Sequence, residues 1–115
     1  MSEKSFTITT YKINRKETSI YWHGEQLHTL AHLLCNGSEN VPDRFVIFFM
    51  ENSIELPSDE YLPQYQLGVK FVPMSAFHKY SRLLAEEDEV FVYLDTLIHT
   101  NNRLSTIKPV RQFSY

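Results

Sequence analysis

The chain has little cysteine and little glycine. Cys35 is the single cysteine among 115 residues, so no internal disulfide can form. A lone cysteine beside Leu34 is typical of a small buried hydrophobic residue rather than a nucleophile, and it is consistent with a reducing compartment. The three glycines, at positions 24, 37 and 68, cannot build a glycine-rich phosphate loop, which argues against nucleotide hydrolysis.

Long apolar runs are also absent. No segment approaches the roughly 20 consecutive apolar residues that cross a bilayer. The first ten residues, MSEKSFTITT, are polar where a secretory signal is basic and then apolar. Hydrophobic residues make up 43% of the chain and charged residues 22%, which is typical of a globular protein. We therefore expect one cytosolic domain over residues 1–115, without membrane association.

Basic residues are scarce in the middle of the chain. Residues 17–97 contain thirteen acidic side chains but only four basic ones, a formal charge of −9, whereas residues 1–16 and 98–115 carry a basic excess. An acidic middle repels phosphate and attracts basic partners. The pattern disfavours a nucleic-acid partner and favours a protein partner with a basic surface.

Hydrophobic periodicity predicts six strands and two helices. The segment RFVIFFM, residues 44–50, is apolar on both faces, like a central strand covered on two sides. Residues 25–36 are predicted as a helix, because Leu27, Leu30 and Leu34 fall on one helical stripe and Gly37 follows the last turn. The other predicted elements are strands at 5–13 (with a bulge near Thr9 and Thr10), 19–23, 68–72, 90–99 and 103–110, a helix from Ser75 to about Ala85, and a tight hairpin turn at Asn101 and Asn102.

These elements follow the order β-β-α-β-β-α-β-β. We expect an α+β fold with a mixed or antiparallel sheet and two helices, in which the middle six elements form a ferredoxin-like core with an extra strand at each end. Both helices of such a core lie on one face, so the strands at 44–50 and 90–98 need another cover for the second face. A terminal hairpin, the loop at 51–68 or a second copy of the chain in a homodimer would provide it.

Three of the five histidines lie close to Glu25 in the sequence. On the predicted helix Glu25, His28 and His32 share one edge, and the spacing of the two imidazoles can place both on one metal ion. The H-E-x-x-H pattern and a cysteine pair are both missing, so the polar flanks of an amphipathic helix explain the same residues without a metal. With His23 as an acid–base group, this set supports an alternative function as a small metal-dependent or histidine-based enzyme.

Two acidic segments remain, one in the predicted loop at 51–68 and one after the second helix. We predict that folding joins them into a partner-binding surface on which tyrosines supply contact area. Its predicted residues are Asp59, Glu60, Tyr61, Tyr65, Glu86, Glu87 and Asp88. Solvated loops that keep the protein soluble explain the same composition.

The leading hypothesis is a small protein-binding module of the inhibitor or immunity type. It would engage a basic partner through the acidic, tyrosine-bearing loop and would need no cofactor. The histidine-based enzyme is the alternative, and a structural subunit of a larger assembly is a third hypothesis.

Overall fold

The protein is built mainly from β-strands. The computed structural model describes residues 3–109, which form ten strands and one α-helix. The strands are β1 (Glu3–Thr7), β2 (Thr10–Asn14), β3 (Thr18–Trp22), β4 (Glu25–Thr29), β5 (Ala31–Asn36), β6 (Arg44–Met50), β7 (Glu60–Leu62), β8 (Leu67–Pro73), β9 (Phe91–Asp95) and β10 (Arg103–Ser105). Helix α1 spans Phe77–Glu86, and short 3-10 turns lie at Met74–Ala76 and His99–Asn101.

Five strands form a mixed central sheet in the order β2-β5-β6-β8-β7. Strand β6 lies in the middle because its apolar sequence can be covered on both faces, and most of its residues are buried. It pairs antiparallel with β5 and parallel with β8, where Phe48 lies opposite Phe71. Strand β7 completes the sheet at the far edge of β8, with Tyr61 opposite Gly68.

A smaller antiparallel sheet, in the order β1-β9-β10, packs on one face of the central sheet. The chain passes from the smaller sheet to the central one at Ile8 and Thr9. The Ile8 N–H donates to the carbonyl of Val90, and the Thr9 N–H donates to the carbonyl of Asn36, each at an N···O distance of 2.9 Å. The change of face that predicts a bulge near Thr9 and Thr10 therefore lies where the chain crosses between sheets.

The main core lies between the two sheets and α1. It consists of Phe6, Ala31, Leu33, Cys35, Phe45, Ile47, Phe49, Tyr61, Val72, Tyr80, Leu84, Val90, Val92 and Leu94. The packing is close at Gly68, where an added Cβ would lie 2.5 Å from a methyl carbon of Leu94. On the helix side, the ring of Phe49 meets those of Phe77 and Tyr80 edge to face.

The β3–β4 hairpin covers the second face of the central sheet. Its two-residue turn has positive φ at both His23 (50°) and Gly24 (81°), as a type I′ turn requires. The ring of Trp22 meets that of Phe71 edge to face, with centroids 5.3 Å apart. The second cluster under the hairpin contains Val46, Met50, Val69 and Phe71, with Ile20, Trp22 and Leu27 packed against it. The chain thus covers with its own hairpin the second face of the strand at 44–50, one of the two strands whose uncovered faces motivated a homodimer. The homodimer stays a prediction.

The predicted architecture, two helices in a ferredoxin-like order, is wrong. Residues 25–36 form β4 and β5 instead of a helix, and the described residues make a mostly-sheet α+β protein in three sheets. The leucine spacing fits a strand as well as a helix here. In β5, Leu33 is buried in the main core while its neighbour Leu34 packs on the second cluster. A strand covered on both faces loses the alternation that separates strands from helices.

Other local predictions are confirmed or corrected individually. The strand at 44–50 and the second helix are confirmed as β6 and α1, although α1 begins at Phe77 after a 3-10 turn and not at Ser75. The link between β9 and β10 is longer than the predicted two-residue turn and contains the 3-10 turn at His99–Asn101. Residue 110 of the predicted last strand lies outside the described residues. Across residues 3–109, no helix has the length and apolar character needed to cross a membrane.

Candidate binding site

Asp59, a predicted surface residue, makes its contacts within the fold. Its Oδ2 accepts a hydrogen bond from Lys70 Nζ at 2.8 Å, and its Oδ1 accepts one from the Phe71 N–H at 3.0 Å. The side chains of this ion pair are only 11% (Asp59) and 19% (Lys70) exposed. Burial raises the pKa of nearby Tyr80, and the charge of Asp59 adds to that effect. Asp59 therefore connects strand β8 to the segment that precedes β7.

Glu60, the first residue of β7, also has internal partners. Its carboxylate pairs with His23 at the tip of the β3–β4 hairpin. Its backbone carbonyl accepts a hydrogen bond from Asn102 Nδ2 at 3.4 Å. Asn102 is fully buried, and its Oδ1 accepts a hydrogen bond from the Asp95 N–H at 2.6 Å. Glu60 therefore connects the hairpin, the edge of the central sheet and the end of β9.

The two predicted tyrosines lie in opposite environments. Tyr61 is 7% exposed, and its hydroxyl donates to Asp43 Oδ1 at 2.7 Å and accepts from Lys4 Nζ at 3.3 Å. Burial and the hydrogen bond to Asp43 raise the pKa of Tyr61, and the hydrogen bond to Tyr61 raises the pKa of Lys4. Tyr65 lies in the turn between β7 and β8 and is 62% exposed. Of this pair, only Tyr65 presents most of its side chain to solvent.

The second acidic segment follows α1 and faces solvent. Glu86, the last helical residue, accepts a hydrogen bond from Arg82 one turn earlier at 3.3 Å. Glu87, Asp88 and Glu89, which we call the acidic turn, are exposed and form no salt bridge with any residue from 3 to 109. A helix C-terminus carries partial negative charge. The carboxylates therefore add to a potential that is already negative.

An open cleft of about 190 Å³ adjoins the acidic turn. Its apolar lining residues are Ile8, Leu84 and Val90, and its polar lining residues are Thr9, Tyr11, Glu87 and Asp88. The apolar side chains are buried or half-buried, whereas the polar ones are exposed. Tyr11 belongs to β2, an edge strand of the central sheet, and is 44% exposed. One opening is thus surrounded by an aromatic ring, an apolar surface and two carboxylates.

The crossing between the two sheets positions this cleft. On one side of the cleft, the Ile8 N–H is hydrogen-bonded to Val90, which precedes β9 of the smaller sheet. The Thr9 N–H is hydrogen-bonded to Asn36, the last residue of β5 in the central sheet. On the other side, Leu84 is buried in the main core, which orients the end of α1. The cleft is therefore built on elements that are packed and hydrogen-bonded, with the acidic turn at its edge.

Tyr11 was not part of the predicted partner-binding set. It is distant from Glu87 along the chain, and only the crossing between sheets brings the two together. The available signal was the change of face near Thr9 and Thr10, which predicts a bulge within one strand but marks the crossing between two sheets. Asp59, Glu60 and Tyr61 of the predicted set do not line the cleft, whereas Glu87 and Asp88 do.

The histidines do not form the predicted helical edge, because their segment is β-structure. Strand alternation places Glu25 and His28 on opposite faces of β4. His28 Nε2 lies 3.5 Å from a carboxylate oxygen of Glu17, and the ring of His32 packs at a tilt against Phe48. In the described part of the chain, no three His, Cys, Asp or Glu side chains are grouped so that they could bind a metal ion.

Cys35 is buried in the main core, as predicted for a small hydrophobic residue. Burial raises the pKa of its thiol to about 12. Because the thiolate is the nucleophilic form, the folded protein keeps this cysteine unreactive near neutral pH.

Comparison with known proteins finds no family model, no curated protein and no solved structure that matches this chain. Function is therefore inferred from the side chains and surfaces of the protein itself.

Proposed function

We propose that the protein is a small binding module that engages a basic surface of a partner protein through the acidic turn and Tyr11. One observation carries this proposal: Glu87, Asp88 and Glu89 have no salt-bridge partner within residues 3–109 and lie beside an open cleft that Tyr11 lines. Carboxylates in such a position are available to a second molecule.

The residue types at this surface suit recognition of a basic protein. Clustered exposed carboxylates raise the rate at which a positively charged partner is encountered and disfavour partners of the same charge. Tyrosine supplies a large contact area at a small loss of conformational entropy and is frequent at interface hot spots. The cleft brings Tyr11 and two carboxylates to one opening, so the surface combines both effects.

The local electrostatics also support the proposal. Acidic residues at a helix C-terminus oppose the helix dipole, and the last turn of α1 contains no basic residue that would offset them. Features that cost stability are commonly kept where they serve function. A positively charged partner surface would relieve this unfavourable charge.

A more specific version of the proposal is that the protein inhibits its partner. An acidic surface with an aromatic contact suits a protein that covers the basic cleft of an enzyme such as a nuclease, because the two surfaces are complementary in charge. The identity of a captured partner would test this form separately from binding itself.

The test is capture of partners from lysate of the native cell by the immobilised chain, with quantitative mass spectrometry. We expect a basic protein to be enriched on the wild type and lost when Glu86, Glu87 and Glu89 are changed to Gln and Asp88 to Asn. A matched control removes the same charge elsewhere, at four other exposed acids: Glu25→Gln, Glu39→Gln, Glu51→Gln and Glu55→Gln.

The control separates a local surface from total charge. Retention of the partner by the control variant, with loss by the variant at 86–89, supports the proposal. Equal capture by the wild type and the variant at 86–89, or equal loss from both variants, contradicts it.

A further inference from the structure

The cleft beside the acidic turn has the size of a single-residue site. Its volume of about 190 Å³ is below the roughly 300–1,000 Å³ of pockets that take drug-sized ligands. Its lining combines the apolar side chains of Ile8, Leu84 and Val90 with exposed polar groups. A long side chain with an apolar stem and a polar head matches this division.

The charges at the opening select a cation. Glu87 and Asp88 line the cleft at the C-terminus of α1, where the helix dipole also favours positive charge. Tyr11 also lines the cleft and is 44% exposed, and the face of a tyrosine ring attracts cations. Three independent contributions therefore favour a positively charged group: two carboxylates, a helix end and an aromatic ring.

Arginine fits this combination better than lysine. A guanidinium is planar, stacks on aromatic faces and can donate to two carboxylate oxygens at once, whereas an ammonium is a compact and strongly hydrated charge. We propose that the cleft takes the side chain of one arginine of the partner, an inference that rests on the proposed function. Its stem would lie along the apolar lining, with the guanidinium between the Tyr11 ring and the carboxylates.

The protein already uses this kind of contact internally. The guanidinium carbon of Arg103 lies 4.5 Å from the ring centroid of Tyr93, and that of Arg15 lies 5.0 Å from the centroid of Phe77. Arginine and tyrosine are also enriched among interface hot spots, which tend to pair across an interface. An arginine on the Tyr11 ring would repeat between two molecules what occurs within one.

The test titrates the full-length ¹⁵N-labelled protein with four blocked tripeptides, Gly-Xaa-Gly, in which the central residue is arginine, citrulline, lysine or norleucine. Citrulline matches the shape of arginine without its charge, and norleucine keeps the four-carbon stem of lysine without its ammonium group. We expect saturable amide shifts at residues 8–11 and 87–90 with the arginine peptide. The citrulline peptide should bind at least about tenfold more weakly, which corresponds to about 1.4 kcal/mol.

Variants connect that binding to the cleft. Tyr11→Leu, and separately Glu87→Gln with Asp88→Asn, should each weaken the arginine peptide severalfold. Tyr65→Leu and the pair Glu51→Gln with Glu55→Gln remove an exposed tyrosine and two exposed acids elsewhere, and they should leave the affinity unchanged. The spectrum of each variant also shows whether it is folded.

The outcomes separate this inference from the proposed function. Equal binding of the arginine and citrulline peptides, preference for the lysine peptide, shifts that map elsewhere or an absence of saturable shifts would each overturn the arginine assignment. If the lysate partner is still lost from the variant at 86–89, the proposed function stands in those cases. Peptide binding at the cleft with the partner retained by that variant would support an arginine site and overturn the proposed function.

Discussion

Asp59 and Glu87 both come from the acidic middle of the chain, but folding gives them opposite environments. Asp59 is nearly buried, 2.8 Å from Lys70 Nζ and 3.0 Å from the Phe71 backbone nitrogen. Glu87 is exposed at the end of a helix and has no salt-bridge partner among residues 3–109. The same charge thus stabilises the fold at one position and opposes the helix dipole at the other.

The tyrosines repeat this contrast. The hydroxyl of Tyr61 is hydrogen-bonded to Asp43 and Lys4 inside the protein, whereas Tyr11 and Tyr65 are 44% and 62% exposed. Net charge and residue type along a segment therefore do not tell which side chains are available to a partner. Whether a side chain is available to a partner depends on which residues, distant in the sequence, the fold places in contact with it.

The largest expected effect tests the internal side of this comparison. Asp59→Ala leaves Lys70 without its partner and the Phe71 N–H without its acceptor, so we expect the free energy of unfolding to fall by about 2–3 kcal/mol. Urea unfolding followed by Trp22 fluorescence measures it. Glu55→Ala, at an exposed acid of the same segment, is the matched control and should change stability by less than about 0.5 kcal/mol. If Asp59→Ala and Glu55→Ala lowered the free energy of unfolding equally, the internal, stabilising role of Asp59 would be contradicted.

A smaller loss should follow removal of the Tyr61 hydroxyl. Tyr61→Phe removes the hydrogen bond to Asp43 and the one from Lys4, and the free energy of unfolding should fall by about 1–2 kcal/mol. Tyr65→Phe is the control, because that side chain is exposed and should be unaffected. If both tyrosine variants unfold at the same urea concentration as the wild type, the internal role of Tyr61 is wrong.

The contribution of a further internal acid, Asp95, to the stability of the fold should depend on pH. Hydrogen bonds from the backbone N–H groups of Ile98 and Leu97, with lesser help from Asn101, lower the pKa of the Asp95 carboxyl. Its contribution to stability is therefore complete above the ordinary aspartate pKa of about 3.9 and is lost as the pH falls through the lowered value. The stability difference between the wild type and Asp95→Asn, measured by urea unfolding, should be constant near neutral pH and shrink at acidic pH. A difference that does not change with pH would contradict the assignment.

The sequence predicted correctly those elements whose structure follows from the pattern of their own residues. Strand β6 is apolar on both faces and formed where predicted, and α1 has a clear helical stripe and formed with a start two residues later than predicted. The helix predicted at residues 25–36 was wrong because the leucines at helix-like spacing lie in two strands, β4 and β5, and at the residue between them, and β5 carries apolar residues on both of its faces. The turn at His23 and Gly24 lacked the usual Asn-Gly or Asp-Gly signature, although histidine is among the residues that adopt positive φ more readily.

The candidate site was predictable only in part, for a related reason. The exposed acids after α1 could be expected, because carboxylates oppose the dipole at the end of a helix. The internal use of Asp59 and Tyr61 could not, since Lys70, Asp43 and Lys4 reach them only in the folded chain. The approach of Tyr11 to the acidic turn likewise depends on the crossing of the chain between two sheets.

The most direct measurement is the urea unfolding midpoint of the double variant Glu87→Gln with Asp88→Asn, compared with the wild type. We predict a more stable protein, because each neutralised carboxylate removes an unfavourable interaction of about 0.3–1 kcal/mol with the helix C-terminus. The urea midpoint should therefore rise, while the slope of the free energy of unfolding against urea concentration stays the same. A lower midpoint would mean that these carboxylates stabilise the fold, as Asp59 does, and would contradict their assignment to a partner.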